Sequence, residues 1–69
     1  MPLVQVHILE GRSDEMRKRL ITEVTAAVSR ALDAPEESIR VLLYELPKQH
    51  WAVGGKSMAE REAEKDASV

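Results

Sequence analysis

The chain opens with an apolar segment over residues 3–9 in which successive side chains alternate in character. On an extended strand, Val4, Val6 and Ile8 would share one face, and all three are β-branched, which favours a buried strand face. Residues 10–12, with the sequence Glu-Gly-Arg, then interrupt the alternation. The pattern therefore predicts a first strand over 3–9 followed by a turn.

The next segment has the period of an amphipathic helix. Ser13 is a favourable N-cap residue, and Asp14 and Glu15 place acidic groups in the first turn, where they suit the helix dipole. The apolar positions then recur at steps of one, three and four: Met16, Leu20, Ile21, Val24, Ala27, Val28, Ala31 and Leu32. We predict a helix over roughly 14–32, ended by Asp-Ala-Pro at 33–35, because a residue before proline avoids the α region.

A second alternating segment follows at residues 38–46, where Ile39, Val41 and Leu43 share one face. This pattern predicts a second strand. Further along, the pair Gly54-Gly55 supplies the positive φ angles that tight hairpin turns need. We therefore predict a short hairpin near the C-terminal end of the folded region.

The order of these elements predicts the fold class. A strand, a long helix and a second strand imply parallel strands joined by a right-handed crossover. We expect an α/β fold, a small β-α-β unit with a short C-terminal hairpin. A two-stranded sheet is too small to be stable alone, and its second face still carries Leu3, Leu9, Leu42 and Leu46. The chain should therefore assemble as an oligomer that covers this face and the strand edges with other copies.

Length and composition set limits on this picture. A chain of 69 residues is a single small domain, which buries only about 60% of its unfolded surface and gains from oligomerisation. We assign residues 1–57 to the β-α-β domain and 58–69 to a polar C-terminal tail. Within the tail, residues 60–65 offer no opposite-charge pairs four apart. The sequence leaves open whether the tail is a frayed helix or disordered.

Several function classes are disfavoured by composition. The chain has no cysteine, and His7 and His50 lack the spacing of metal ligands, so we expect no metal site. A net charge of −2 gives no basic footprint for nucleic acid. No apolar run approaches the roughly 20 residues that span a membrane, and the N-terminus does not resemble a signal peptide. We expect a soluble cytoplasmic protein that binds neither nucleic acid nor membrane.

Pro2 is the residue with the most distinctive chemistry. Methionine is commonly removed when a small residue follows it, and Pro2 would then carry a free secondary amine at the N-terminus. An ordinary α-amino group titrates near ~7.7–8.0, and desolvation or a neighbouring cation lowers that pKa. An amine that is neutral near pH 7 can act as a general base or a nucleophile. If Met1 is retained, the nitrogen of Pro2 is an amide and has no basicity.

Three segments carry a resemblance to a known family. The first begins at Pro2 and reads PLVQVHILEGRSDEMRKRLITEV. The second, in the middle of the chain, reads SRALDAPEESIRV, and the third, beyond it, reads HWAVGG. The most specific parts are HILEGRSDE and the run LDAP, which is followed by Arg40 five residues after its proline. Together these segments resemble the 4-oxalocrotonate tautomerase family of the tautomerase superfamily, whose members have an amino-terminal proline. The resemblance covers residues 2–57.

The resemblance implies an isomerase. Members have a βαβ fold that is usually built into a homohexamer, a trimer of dimers. Their reaction is a cofactor-independent 1,3-proton shift in unsaturated 2-oxo dicarboxylic acids, in which the dienol 2-hydroxymuconate becomes its conjugated ketone. The common setting of this reaction is aromatic catabolism. For this chain the resemblance implies a small dicarboxylate substrate and a homo-oligomer as partner.

The resemblance also implies roles for individual residues. Pro2 matches the general base and acid that moves the proton. Arg12 matches the residue that binds the distal carboxylate, and Arg40 the one that binds the near carboxylate and draws electrons toward the 2-oxygen. Family arginines reach the site from neighbouring subunits. Trp51 occupies a position that is usually phenylalanine, and the backbone amide of Leu9 matches a position that hydrogen-bonds substrate or water.

Two alternatives remain open from the sequence. One is a hydratase or dehalogenase of the same superfamily, which needs a carboxylate to activate water near the proline. No acid follows Trp51 directly, and Glu10 and Glu45 are the only nearby candidates. The other alternative is a non-catalytic oligomeric binding module that keeps the fold. A free Pro2 amine favours catalysis, and a retained Met1 favours the module.

Overall fold

The structure of the chain, a computed structural model, describes residues 1–67. Six helices and strands follow one another along the chain: β1 (Leu3–Leu9), α1 (Asp14–Leu32), β2 (Arg40–Leu46), β3 (Ala52–Val53), β4 (Lys56–Ser57) and α2 (Met58–Ala67). Single 3₁₀ turns at Glu36–Ser38 and Lys48–His50 flank β2. The predicted β-α-β unit with a C-terminal hairpin is confirmed. No helix within the described residues is both long and apolar enough to cross a membrane.

β1 and β2 form a two-stranded parallel sheet in which Leu3 is the partner of Arg40 and Leu9 is the partner of Leu46. The prediction of parallel strands is therefore confirmed. β3 and β4 pair antiparallel in a separate small hairpin across Gly54 and Gly55, both of which have positive φ. The chain thus carries a parallel sheet and, after β2, a short hairpin that leads into α2.

The second strand begins two residues later than predicted. Ser38 belongs to the preceding 3₁₀ turn, where its backbone N–H donates to the carbonyl of Pro35 at 3.0 Å. The hydroxyl of Ser38 donates to the same oxygen at 2.8 Å. Both donors of Ser38 therefore close the turn, and the ladder begins at Arg40.

The bounds of α1 follow from its caps. The hydroxyl of Ser13 accepts a hydrogen bond from the N–H of Met16 at 3.2 Å, as an N-cap residue does. At the other end, Asp33 adopts the left-handed conformation with φ 53°, and the N–H of Ala34 donates to the carbonyl of Ser29 at 3.2 Å. Aspartate is one of the few residues besides glycine that tolerates this conformation. The predicted helix is confirmed at both ends.

α1 covers one face of the sheet only in part. The faces predicted to be buried are half-buried, and among the residues whose exposure is described only Ile39 and Ser57 are buried. Part of the apolar stripe of α1 stays in solvent, with Leu32 at 62% exposure. The outer face of the sheet is also open, with Leu3 at 58% and Leu42 at 41%. A single chain therefore leaves much apolar surface exposed, as expected of a subunit.

His7 and Tyr44 are cross-strand neighbours on this outer face. Their rings stack with centroids 4.7 Å apart and planes 11° apart. The stack gives His7 a packing partner at the centre of the sheet. It agrees with a structural role for this histidine, as its mid-strand position indicates.

The C-terminal segment forms a helix, one of the two alternatives that the sequence left open. Residues 58–67 are helical, whereas the last two predicted tail residues, 68 and 69, lie outside the described part of the chain. Partners of α2 lie in preceding segments: Glu62 pairs with Lys48 at 2.8 Å and Glu64 pairs with Lys56. These contacts span 14 and 8 residues, so they are invisible to a search for pairs four apart.

Candidate functional site

Pro2 and Arg40 lie together at the edge where both parallel strands begin. The carbonyl of Pro2 accepts a hydrogen bond from the backbone N–H of Arg40 at 3.0 Å. Pro2 is half-buried, while Met1 in front of it is 85% exposed. The sheet register thus holds the backbone of the candidate base directly beside that of the candidate arginine.

The side chains of these two residues belong to opposite faces of the sheet. Arg40 pairs with Leu3, and both are exposed on the outer face. Pro2 continues the alternation of Val4, which is half-buried on the α1 side. Successive strand residues point to opposite faces. Within one chain, therefore, adjacent backbones do not bring the guanidinium of Arg40 to the face of Pro2.

Arg12 lies at the other edge of the sheet, in the turn after β1. Its Nη1 donates to the carbonyl of Leu9 at 2.8 Å, and its own carbonyl accepts from Nη1 of Arg17 at 2.7 Å. Gly11 has φ 119°, a conformation that favours glycine. Arg17 also pairs with Glu45 at 3.3 Å, which fastens the turn to the end of β2. The local sequence therefore fixes the position of the Arg12 backbone.

Both candidate arginines lack a carboxylate partner within the described residues. Nη1 of Arg40 donates to the carbonyl of Glu37 at 3.0 Å, and Nη1 of Arg12 donates to the carbonyl of Leu9 at 2.8 Å. Neither forms one of the ion pairs found in residues 1–67, in contrast to Arg17 and Arg19. Both residues are exposed, so they are available for the bidentate contacts that arginine makes with carboxylates.

Trp51 is half-buried between the 3₁₀ turn Lys48–His50 and β3. Its carbonyl accepts a hydrogen bond from the N–H of Met58, the first residue of α2, at 2.7 Å. A cavity of about 380 Å³ lies nearby and is lined by Leu9, Lys48, Met58, Arg61, Glu62 and Lys65. Leu9 and Trp51 therefore both lie where the chain meets α2, although Trp51 does not line this cavity.

The predicted site residues fall into two groups. Pro2 and Arg40 lie at the starting edge of the sheet, and Leu9 and Arg12 lie at the edge where the strands end. The seven residues of β1 span roughly 20 Å at the usual rise per residue. One chain therefore does not bring Pro2 close to Arg12. Among residues 1–65, no group of three or more His, Asp or Glu side chains comes together as metal ligands would.

Comparisons with known proteins agree with this fold. Residues 2–61 match the family described as Tautomerase enzyme. The 2-hydroxymuconate tautomerase of Stutzerimonas stutzeri is 58% identical over 57 residues, which cover 83% of this chain and 90% of that relative. The chain belongs to the tautomerase family. The resemblance to 4-oxalocrotonate tautomerases that its motifs indicate is thereby confirmed, and so is its assignment as an isomerase.

Solved structures of tautomerases share this fold over most of the chain. A 4-oxalocrotonate tautomerase isozyme from Methylibium petroleiphilum is 36% identical, with a TM-score of 0.88 over 91% of this chain and 98% of its own. A heterohexameric 4-oxalocrotonate tautomerase from Chloroflexus aurantiacus is 43% identical, with a TM-score of 0.83 over 87% of this chain and 97% of its own. The coverage of both chains indicates that the tautomerase fold accounts for nearly the entire molecule.

The same findings do not favour the two alternative functions. A tautomerase related this closely to 2-hydroxymuconate tautomerases is an enzyme rather than a non-catalytic module. A hydratase or dehalogenase would need a free carboxylate, yet Glu45 is engaged in its ion pair with Arg17 at 3.3 Å. Glu10 is exposed at the edge where the strands end, in the turn that precedes Arg12.

Sequence reasoning did not anticipate the contacts of α2 in this tautomerase. Lys48 and Glu62 form an ion pair and line the cavity that Leu9 also lines. Arg61 donates from Nη2 to the carbonyl of Val53 at 3.1 Å. The signal in the sequence is only a lysine after Pro47 and alternating charges in the tail. Such charges are typical of any solvated surface, so they did not identify these partners.

Proposed function

We propose that this tautomerase converts 2-hydroxymuconate, or a similar 2-hydroxydienoate with two carboxylates, to its conjugated ketone after removal of Met1. The observation that carries the proposal is a proline at the second position, in a chain with two exposed arginines that no described carboxylate neutralises. A relative 58% identical to the chain is named for this substrate. No cofactor is part of the proposal.

Pro2 would move the proton. Ketonisation takes a proton from the 2-hydroxyl oxygen and adds one to a carbon at the far end of the conjugated system. A single base that accepts the first proton and returns it balances the reaction, provided that its pKa lies near the working pH. The secondary amine of an N-terminal proline meets this requirement when nearby arginines disfavour its ammonium form by charge repulsion.

Arg12 and Arg40 would each bind a different part of the substrate. The intermediate dienolate carries negative charge, and a cation held at its oxygen stabilises that charge in a site from which water is excluded. We assign this role and the near carboxylate to Arg40, and the distal carboxylate to Arg12. Trp51 would contribute apolar surface that excludes water. The backbone amide of Leu9 would donate to the substrate or to a bound water.

Several copies of the chain would complete each site. The edge with Pro2 and the edge with Arg12 are separated by roughly 20 Å in one chain, so the two groups meet only between copies. The exposed apolar residues of α1 and of the outer sheet face supply surface for such contacts. We propose a homohexamer arranged as a trimer of dimers, in the cytoplasm and in aromatic catabolism. The heterohexamer of the Chloroflexus aurantiacus relative supports an assembly of six subunits.

The first test is the pH dependence of ketonisation, measured on protein whose intact mass shows that Met1 is absent. The value of kcat/KM should fall on the acid side as the base becomes protonated. The midpoint of that limb should lie below the ~7.7–8.0 of an ordinary α-amino group. A preparation that retains Met1 is the control and should be inactive. Absence of turnover in the processed protein would refute the proposed substrate.

Replacement of Arg40 by alanine tests the electrostatic role. A cation that acts mainly on developing charge should contribute to kcat, which we expect to fall by about 10²- to 10³-fold, the usual effect of losing one such donor. The matched control is Arg19→Ala, which removes an exposed arginine paired with Glu23 on α1. Steady-state kinetics decide the outcome, and a change confined to KM would contradict the role assigned to Arg40.

A further inference from the structure

α2 contacts the segment that carries Trp51, residues 48–53, at Trp51 itself and at positions before and after it in the chain. This segment comprises the 3₁₀ turn Lys48–His50, then Trp51, then β3. Trp51 itself is tied to the helix, since its carbonyl accepts the N–H of Met58 at 2.7 Å. The first residue of α2 is therefore hydrogen-bonded to the backbone of Trp51, the one tryptophan in the chain.

On the upstream side of Trp51 the contact is an ion pair. Nζ of Lys48 lies 2.9 Å from one carboxylate oxygen of Glu62 and 2.8 Å from the other. The two side chains are about half exposed, so the pair is partly screened by solvent but has close contacts to both oxygens. It joins the residue three positions before Trp51 to the second turn of α2.

After Trp51, the contact is a hydrogen bond from Arg61, the residue that precedes Glu62 in α2. Nη2 of Arg61 donates to the carbonyl of Val53 at 3.1 Å. The start of α2 is fixed as well, because the buried Ser57 accepts the N–H of Glu60 on its hydroxyl at 3.1 Å. Glu62 and Arg61, two successive residues of α2, thus bind Lys48 before Trp51 and Val53 after it.

The same contacts reach a second residue of the proposed site. Lys48, Arg61 and Glu62 all line the cavity of about 380 Å³ that also contains Leu9. The ion pair between Lys48 and Glu62 therefore borders the same cavity as the end of β1. A displacement of α2 would therefore change the position of residues 48–53 and also the shape of the cavity that Leu9 lines.

We infer that α2 positions Trp51 for substrate binding, and that the ion pair between Lys48 and Glu62 is the contact that sets its position. Both are positioning residues, because they act through Trp51 rather than on the reacting atoms. The inference rests on the proposed function in one respect, since it takes Trp51 as part of the substrate pocket. It assigns a role to the C-terminal helix in binding rather than in proton transfer.

The test reverses the charge of one partner and then restores the pair. Glu62→Lys should raise KM for 2-hydroxymuconate about two- to fivefold, the range expected for an ion pair of this exposure, and leave kcat within about twofold. The fluorescence of Trp51 in the substrate-free protein should shift, and no other tryptophan contributes to that signal. The double variant Lys48→Glu with Glu62→Lys should restore both KM and emission.

Glu23→Lys is the matched control, since Glu23 forms an exposed ion pair with Arg19 on α1 at 3.5 Å. It makes the same change of charge and should leave KM and emission unchanged. Unchanged emission in Glu62→Lys would overturn the inference, and so would a shifted emission with an unchanged KM. If the wild-type protein fails to turn over 2-hydroxymuconate, the proposed function is refuted, while the emission of the variants still decides whether α2 positions Trp51.

Discussion

Replacement of Pro2 by alanine should lower kcat/KM for ketonisation by about 10²- to 10⁴-fold, the usual contribution of a positioned general base. Alanine at this position keeps the small residue that favours methionine removal, so the variant still has a free N-terminal amine. That amine is primary, however, and differs from the ring nitrogen in basicity and geometry. The measurement is steady-state turnover of 2-hydroxymuconate by protein with a confirmed intact mass.

Pro35→Ala is the matched control for loss of a proline. Pro35 starts the turn between α1 and β2, where its carbonyl accepts from Ser38. Turnover by this variant should remain close to that of the wild type. The fold of Pro2→Ala should also persist in circular dichroism, because Pro2 contributes only its carbonyl to the ladder, through Arg40. Near-normal turnover by Pro2→Ala would remove Pro2 as the base.

A mixture of two inactive variants should regain activity if each site is shared between copies. Pro2→Ala lacks the base, and Arg12→Ala should bind dicarboxylates poorly, so each alone is defective at low substrate concentration. Refolded together in equal amounts, they should form oligomers in which about a quarter of the sites combine an intact Pro2 with an intact Arg12 from different chains. The measurement is kcat/KM of the mixture against each variant alone.

The control for this experiment replaces Arg12→Ala with the double variant Pro2→Ala/Arg12→Ala. Mixtures of Pro2→Ala with the double variant contain no intact Pro2 and should stay inactive. If activity recovers in the mixture of Pro2→Ala with Arg12→Ala and not in the control mixture, each site contains residues from different chains. If the first mixture stays as inactive as its components, Pro2 and Arg12 of different chains do not form a shared site, and the proposed assembly is wrong.

The elements that the sequence predicts most accurately are those with local signals. β1 and α1 follow from a strict alternation and from a capped helical period, and their predicted bounds agree with the structure. The start of β2 was misplaced because Ser38 hydrogen-bonds back to Pro35, which an apolar pattern does not reveal. α2 could not be distinguished from a disordered tail, since its ion pairs link it to Lys48 and Lys56 in earlier segments.

The candidate site shows the same division between local and long-range information. The chemistry of Pro2, Arg12 and Arg40 can be predicted from residue types and motifs. Their placement at two edges of the sheet depends on strand pairing, which fixes the register of Leu3 with Arg40. The roles of these residues remain predictions, because one chain does not bring them together. The contact between Lys48 and Glu62 depends on how α2 folds back, and no local pattern encodes that.

The separation of the two edges along β1 has a consequence for the history of such a protein. After duplication of its gene, one copy can lose its proline and the other its turn arginine, and assemblies of both copies still contain complete sites. Each chain would then depend on the other, and selection would maintain two genes where one had sufficed. If the two edges of each subunit serve different sites, as we propose, the subunit is predisposed to become an obligate heteromer.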